Sequence, residues 1–406
     1  MKSLITIGSA RLIVIGCQII NIKLYTTHLS NNELGQYFYL IAISYALNAL
    51  IFVPVDYYQQ ANSKKTKEKY KSLHPFLQLN KILITSIIII SIATSLFIYY
   101  LYNTTIIPEQ IVWLTVLAIT IYTTQALRNT INNQFHRNIT TKSFIIESVT
   151  KIVVFYILII ITDTSALTLI YSWIIANSLT TIYLAVKANK LKLFSSKIQD
   201  KYVISIREIF CFSYPFSIAA LCNWAQLQGY RLILVPLGYE EEVGIFATLT
   251  NIGSTAMNAA AMIYSQQFTP SLYQSEGKTA IHYLIGATIL VSITTGAFLI
   301  LGEQTISVIT TSELSKFWKS TIAGILIDGI NMLAACLIIY LTIKNKTKKL
   351  ILPNTMSAFI SILGILILVH QGIISPYSIG YPIIISQAFL FFVLLHISKL
   401  NYRTGR

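Results

Sequence analysis

Apolar residues run along this chain in long, nearly continuous stretches separated by short polar segments. A membrane-spanning helix needs about 20 mostly apolar residues. Twelve stretches satisfy this: roughly 4–26, 35–55, 82–102, 111–126, 143–161 and 167–186, then 209–236, 243–268, 282–301, 317–343, 351–370 and 379–397. They are too long and too continuous for the ten-residue alternation of a membrane β-barrel. The pattern predicts an all-α, polytopic membrane protein: a six-helix lobe at 1–186, a basic inter-lobe segment at 187–208 and a second six-helix lobe at 209–406. Met1-Lys2-Ser3 followed by an apolar run has the outline of a signal peptide. Arg11 interrupts that run and no small-residue cleavage site follows, so an uncleaved first span is expected.

Composition strengthens this reading. Of 406 residues, 54% are hydrophobic and only 11% are Asp, Glu, Lys or Arg, against about 25% charged in soluble domains. So few charges cannot solvate a surface of this size, which excludes a soluble enzyme, a disordered chain and a nucleic-acid module. The net charge of +15 is explained by position. All but six of the 30 Lys and Arg fall in one set of alternate loops or at the termini, notably Lys64–Lys71, Lys187–Arg207 and Lys344–Lys349; the six are Arg11, Lys23, Lys151, Arg231, Lys316 and Lys319. This is the positive-inside pattern. It puts both termini in the cytoplasm and makes anionic lipid head groups, not nucleic acid, the partner of the basic loops. The opposite loops, 27–34, 103–110, 162–166, 237–242, 302–316 and 371–378, are short, so function must lie within the helices or at their mouths.

Cys17, Cys211, Cys222 and Cys336 all fall in apolar runs without a C-x-x-C pair, and the six histidines lack ligand spacing, so neither a metal nor a disulfide framework is expected. No Walker A motif, selectivity-filter repeat or loop-borne carboxylate pair occurs, so no cofactor, no enzymatic activity and no ATP drive of its own are expected.

The two halves echo each other. Lys23 precedes Leu29 by six residues, and Glu33-Leu34-Gly35-Gln36-Tyr37-Phe38 follows. Arg231 precedes Leu237 by six, and Glu242-Val243-Gly244-Ile245-Phe246 follows. Six spans per half is an even number, so such halves run parallel, related by an axis along the membrane normal.

Charges at bilayer depth are costly and need a reason. Arg11 lies about 10 Å inside the first span at 1.5 Å per residue. Gln18 and Tyr25 share its face, Asn21 lies at the edge of that stripe, and Ile22 interrupts it. The stripe reads either as a wet cavity wall or as an arginine snorkelling to the interface. Lys23 lies off the stripe, near the outer end. Arg231 lies about two turns inside the outer end of the seventh span, with Ser213, Ser217, Trp224 and Gln228 on roughly its face. The next span carries Asn251, Ser254, Asn258 and Ser265 at helical spacing. Interhelical hydrogen bonding accounts for those small polar residues but poorly for a deep arginine. Glu147 and Lys151 are spaced i,i+4 in the favourable order for a local pair. Asp328 is the only carboxylate well inside the tenth span, a candidate for ion coupling or for pairing with a buried cation, while Asp56 closes the second span at its interface.

The turn Glu242-Val243-Gly244-Ile245-Phe246 running to Ser265-Gln266-Gln267-Phe268-Thr269-Pro270-Ser271-Leu272, Phe212-Ser213-Tyr214-Pro215, Leu34-Gly35-Gln36-Tyr37 and Asp328-Gly329 carry a resemblance. The chain resembles Wzx-type O-antigen and polysaccharide repeat-unit flippases of the multidrug/oligosaccharidyl-lipid/polysaccharide exporter superfamily. The resemblance covers nearly the whole chain as a pattern of spans, and its motifs are loose. It implies two six-helix lobes forming a V around a cationic central cavity. It also implies transport of an undecaprenyl-diphosphate-linked oligosaccharide between leaflets of the cell inner membrane by alternating access, alongside a polysaccharide polymerase and a chain-length regulator in lipopolysaccharide biosynthesis. Many relatives carry an acidic residue before the arginine of the seventh span; Tyr230 stands there instead, which puts a local acid–arginine pair in doubt. Arg11, Lys23, Gln18, Asn21, Arg231, Gln228 and Asn251 are the expected cavity residues, with Asp328, Glu147 and Lys151 as ion-coupling or buried-charge residues.

Two other readings compete. A drug or small-metabolite antiporter of the same superfamily would favour acids facing cationic substrates. A membrane-embedded polysaccharide polymerase or ligase would favour a large outer loop. The topology itself is testable: a reporter fused after Arg406 that is active only in the cytoplasm is the expected result, and periplasmic activity contradicts the map.

Overall fold

The computed structural model describes residues 2–70, 72–102, 106–194, 206–344 and 346–399. Its elements are helices throughout, and the described residues include no strand. In chain order they are α1 (Lys2–His28), α2 (Asn31–Leu47), a π turn (Asn48–Phe52), α3 (Val53–Tyr70), α4 (His74–Tyr102), α5 (Ile106–Asn133), α6 (Arg137–Ile161), α7 (Ala166–Lys190), α8 (Ile206–Leu234), α9 (Glu240–Gln274), α10 (Ala280–Ile309), the short α11 (Ser312–Ser315), α12 (Ser320–Ile343), α13 (Ile351–Gln371) and α14 (Gly380–Ser398). With α2, the π turn and α3 taken as one rod, twelve long helices coincide one for one with the twelve apolar stretches. Nine of them, among the described residues, are long and apolar enough to cross a membrane by length and composition alone.

The helices outrun the apolar windows. α3 continues through Lys64, Lys65, Lys67 and Lys69 to Tyr70. The outer segment expected at 302–316 is mostly helical, because α10 reaches Ile309 and α11 follows at once. Lysine and glutamate are good helix formers, so α3 continues through its lysines past the apolar window. At the π turn the backbone N–H of Val53 reaches the carbonyl of Asn48. Pro54 follows directly and has no N–H to offer the carbonyl four residues back. The Asn48 side chain donates to the carbonyls of Ser44 (3.0 Å) and Ala118 (3.3 Å), tying this irregular turn to α5.

The chain forms two compact units, one comprising residues 1–18 and 40–217, the other 19–39 and 218–406. In the first, α5 packs on α4 and α7, and α6 packs on α7. Phe52 stacks on Tyr122 with ring centroids 4.3 Å apart. Glu147, ten residues into α6 and so about 15 Å along it, binds two cations. Its Oε2 lies 2.6 Å from Arg128 Nη2 and its Oε1 2.6 Å from Lys151 Nζ. Arg128 also donates from Nε to the Ser143 hydroxyl (2.8 Å) and lies over the Phe144 ring, and Lys151 lies over the Trp173 ring. The sequence-level assignment of Arg128 to a basic loop is therefore corrected: it is a buried residue of α5, and the expected Glu147–Lys151 pair is a triad.

In the second unit α12 is the central rod, packed on α9, α10 and α14. The α9–α12 crossing is set by two glycines. A Cβ at Gly253 would strike the Thr321 carbonyl, and one at Gly324 the Thr250 carbonyl. The N-terminal ends of α2 and α9 cross in the same reciprocal way. A Cβ at Gly35 would strike the carbonyl of Glu240, and one at Gly244 that of Asn31. Gly35 and Gly244 are the glycines that the internal echo aligns, and each meets the residue opening the other's helix.

Two stability predictions follow from these contacts. Glu147→Gln leaves Arg128 and Lys151 without a carboxylate, and breaking a buried ion pair from one side costs about 3–5 kcal/mol; the purified protein should unfold at a clearly lower temperature, and an unchanged midpoint contradicts the triad. Gly324→Ala should lower the midpoint by overpacking worth about 1–3 kcal/mol, whereas Gly16→Ala, where nothing lies within 4 Å of the added Cβ, should not.

Candidate functional site

Within the second unit, α8, α9, α12 and α14 line an open cavity of about 210 Å³. α8 contributes Leu227, Gln228, Tyr230 and Arg231. α9 contributes Phe246, Ala247, Thr250, Asn251, Ser254 and Asn258, α12 contributes Ile327 and Asp328, and α14 contributes Ile383. The spacing 247, 250, 251, 254, 258 places one face of α9 on the cavity, as an i, i+3, i+4 pattern must. Four predicted site residues, Arg231, Gln228, Asn251 and Asp328, come together here.

Arg231 is 8% exposed. Its Nε donates to the Tyr230 hydroxyl at 3.0 Å and its Nη1 to the Phe38 backbone carbonyl at 3.4 Å. The guanidinium carbon lies 4.9 Å from the Phe38 ring centroid and 5.3 Å from that of Tyr230. No carboxylate pairs with it among the described residues. Tyr230, standing where an acid was in question, supplies a neutral acceptor in place of a carboxylate. A guanidinium has five N–H donors in a rigid fork; these two bonds leave three.

Asp328 lines the same cavity and is not paired with Arg231. Its Oδ2 accepts from Asn258 Nδ2 at 2.8 Å. The Oε1 of Gln228 is buried without a partner. One small cavity is therefore lined by a guanidinium, a carboxylate and the amides of Gln228, Asn251 and Asn258.

The remaining predicted residues lie elsewhere. The side chain of Arg11 is outside the described residues, although its backbone belongs to α1. Gln18 is exposed, and Asn21 has a buried Oδ1 without a partner, as does the hydroxyl of Tyr25. Lys23 donates to the Thr310 carbonyl at 2.6 Å, capping the end of α10 where the helix dipole is negative. None of these lines the 210 Å³ cavity. Glu147 and Lys151 belong to the triad in the first unit.

Two participants escaped the sequence reading. Arg128 lay on a visible stripe with Thr120 and Thr124 at i+4 spacing, a signal masked by its place near a basic loop. Asp56, read as merely interfacial, accepts from the amides of Gln60 (2.8 Å) and Asn129 (2.9 Å). The Phe38 carbonyl has no sequence signal, because every residue carries one.

No family model and no curated protein matches this chain. Solved structures do. A multidrug resistance MATE family transporter of the MOP superfamily, in an inward-facing conformation, superposes with a TM-score of 0.65 at 15% identity, over 98% of this chain and 100% of that one. An outward-facing structure of such a transporter gives 0.62 at 13%, over 98% and 94%. The eukaryotic MATE transporter AtDTX14 gives 0.54 at 16%, over 99% and 96%. At these identities the likeness concerns the fold: the chain has the MATE-like transporter architecture of about twelve membrane helices in two lobes.

Proposed function

We propose that this protein is a multi-pass transporter of the bacterial inner membrane, with both termini cytoplasmic, that moves an undecaprenyl-diphosphate-linked oligosaccharide from the cytoplasmic to the periplasmic leaflet by alternating access. The observation that carries this reading is Arg231: a buried guanidinium in a cavity, with no carboxylate against it and three N–H groups unbonded among the described residues. A diphosphate carries two or more negative charges and matches the fork of an arginine. The cavity's 210 Å³ suits a head group rather than a whole oligosaccharide. Asp328, held by Asn258, is the candidate for coupling to an ion gradient.

A second reading rests on the same carboxylate. A cationic drug would seek Asp328, and the multidrug transporters that share this fold make an antiporter equally consistent with the architecture. In that case Arg231 would be a structural cation and its loss would leave polysaccharide untouched.

Losing a hydrogen bond to a charged group costs about 1.5–3 kcal/mol, which is about ten- to a hundredfold in affinity. Arg231→Ala should therefore strand lipid-linked repeat units on the cytoplasmic face, and Arg231→Lys should retain part of the function. Asp328→Asn should slow transport while the protein remains folded. Normal surface polysaccharide in cells carrying Arg231→Ala at normal expression would sink the anion reading, and lost drug resistance in Asp328→Asn alone would favour the antiporter.

A further inference from the structure

We infer that Arg231 is the trigger of a latch on α2 as well as the receptor for the anion, an inference that rests on the reading above. The N-terminal end of α2 belongs to the second unit, and the chain passes to the first between Tyr39 and Leu40. Shape holds that end against α9, through the reciprocal approach of Gly35 and Gly244. Charge holds it against α8: Arg231 Nη1 donates to the Phe38 carbonyl while the guanidinium lies on the Phe38 ring. The bond is 3.4 Å long, at the weak limit of N–H···O geometry.

A phosphate oxygen is a stronger acceptor. Charge-assisted N–H···O bonds shorten to about 2.7–2.9 Å and are roughly twice as strong as neutral ones. A phosphate taking Nη1 and Nη2 together draws the guanidinium toward the cavity and off the Phe38 ring, and the longest bond is the first to break. With it α2 loses the ionic part of its seat and keeps the glycine crossing and the packing of Tyr39 on the apolar cluster around Tyr230 and Phe246. The π turn at Asn48–Phe52, further along the same rod, is a point where such a helix yields. A ligand shifts an equilibrium only by binding two states differently. Here the difference is the place of the guanidinium, against the Phe38 carbonyl and ring in one state and drawn into the cavity in the other. Capture of the anion and parting of the α2 end thus become one event, and a neutral lipid of the same length does not produce it.

Leu34, fully buried one turn into α2, reports the movement. The test uses the full chain in lipid nanodiscs, with Cys17, Cys211, Cys222 and Cys336 changed to serine and Leu34→Cys added. Labelling by a polar maleimide is timed with farnesyl diphosphate, with farnesol and with neither, and farnesyl diphosphate binding is measured in parallel by calorimetry. Farnesyl diphosphate should speed labelling about fivefold, the factor of one ordinary hydrogen bond, and farnesol should not. Arg231→Ala should label at the faster rate without ligand and respond no further. Arg231→Lys, which keeps the charge, guards against misfolding and should show a reduced response. Lys23→Ala, whose bond to Thr310 lies away from the cavity, should keep the full response. Binding of farnesyl diphosphate without faster labelling overturns the latch and leaves the anion reading standing. An equal effect of farnesol, or wild-type labelling in Arg231→Ala, also overturns the latch. Absence of binding overturns both.

Discussion

Arg231 is held among apolar helices with a tyrosine hydroxyl and a backbone carbonyl for partners and no carboxylate among the described residues. An ion in a low-dielectric interior is expensive unless something answers its charge. Two aromatic faces and two neutral acceptors answer it in part. On the proposed reading the remainder is a preference for an anion, taken up in the cavity beside it. The first unit handles the same constraint differently: Arg128 and Lys151 share Glu147, and both lie on aromatic rings. The shared carboxylate and the two ring seats anchor α5, α6 and α7 to one another. The two units thus differ in that the first unit's buried cations share a carboxylate, whereas Arg231 has none among the described residues.

The scaffold around Arg231 depends on close backbone approach. Lipid offers helices no hydrophobic reason to associate, so contact surfaces use small residues that let main chains touch. Gly253 and Gly324 bring α9 against α12, which sets Asn258 beside Asp328; Gly35 and Gly244 bring the α2 end against α9, and Phe38 lies under Arg231. The charged groups of the site are thus positioned by residues that carry no chemistry of their own.

Much of this was legible in the chain. Continuous apolar stretches mark all twelve long helices because hydrocarbon thickness imposes one length on each. The helix ends were not legible, since hydropathy reads the membrane boundary and not the last hydrogen bond; α3 and α10 continue beyond it. The polar faces of α8 and α9 follow from spacing, and with Asp328 they do meet in one cavity. Lys23 shows the limit of such reasoning: its depth was readable, but its partner is a main-chain carbonyl almost 290 residues away. Arg128 shows another, because its position beside basic loops concealed a carboxylate on the following helix.

The central claim is that an unanswered guanidinium makes this cavity a receptor for anions. Its most direct test is equilibrium binding of an isoprenyl diphosphate and of a lipophilic cation, each to the purified protein and to the Arg231→Ala variant. The account predicts that the diphosphate binds and loses about ten- to a hundredfold in affinity with the arginine, while the cation binds weakly and is not weakened by the change. Tight cation binding that ignores Arg231, with no measurable affinity for the diphosphate, would contradict it.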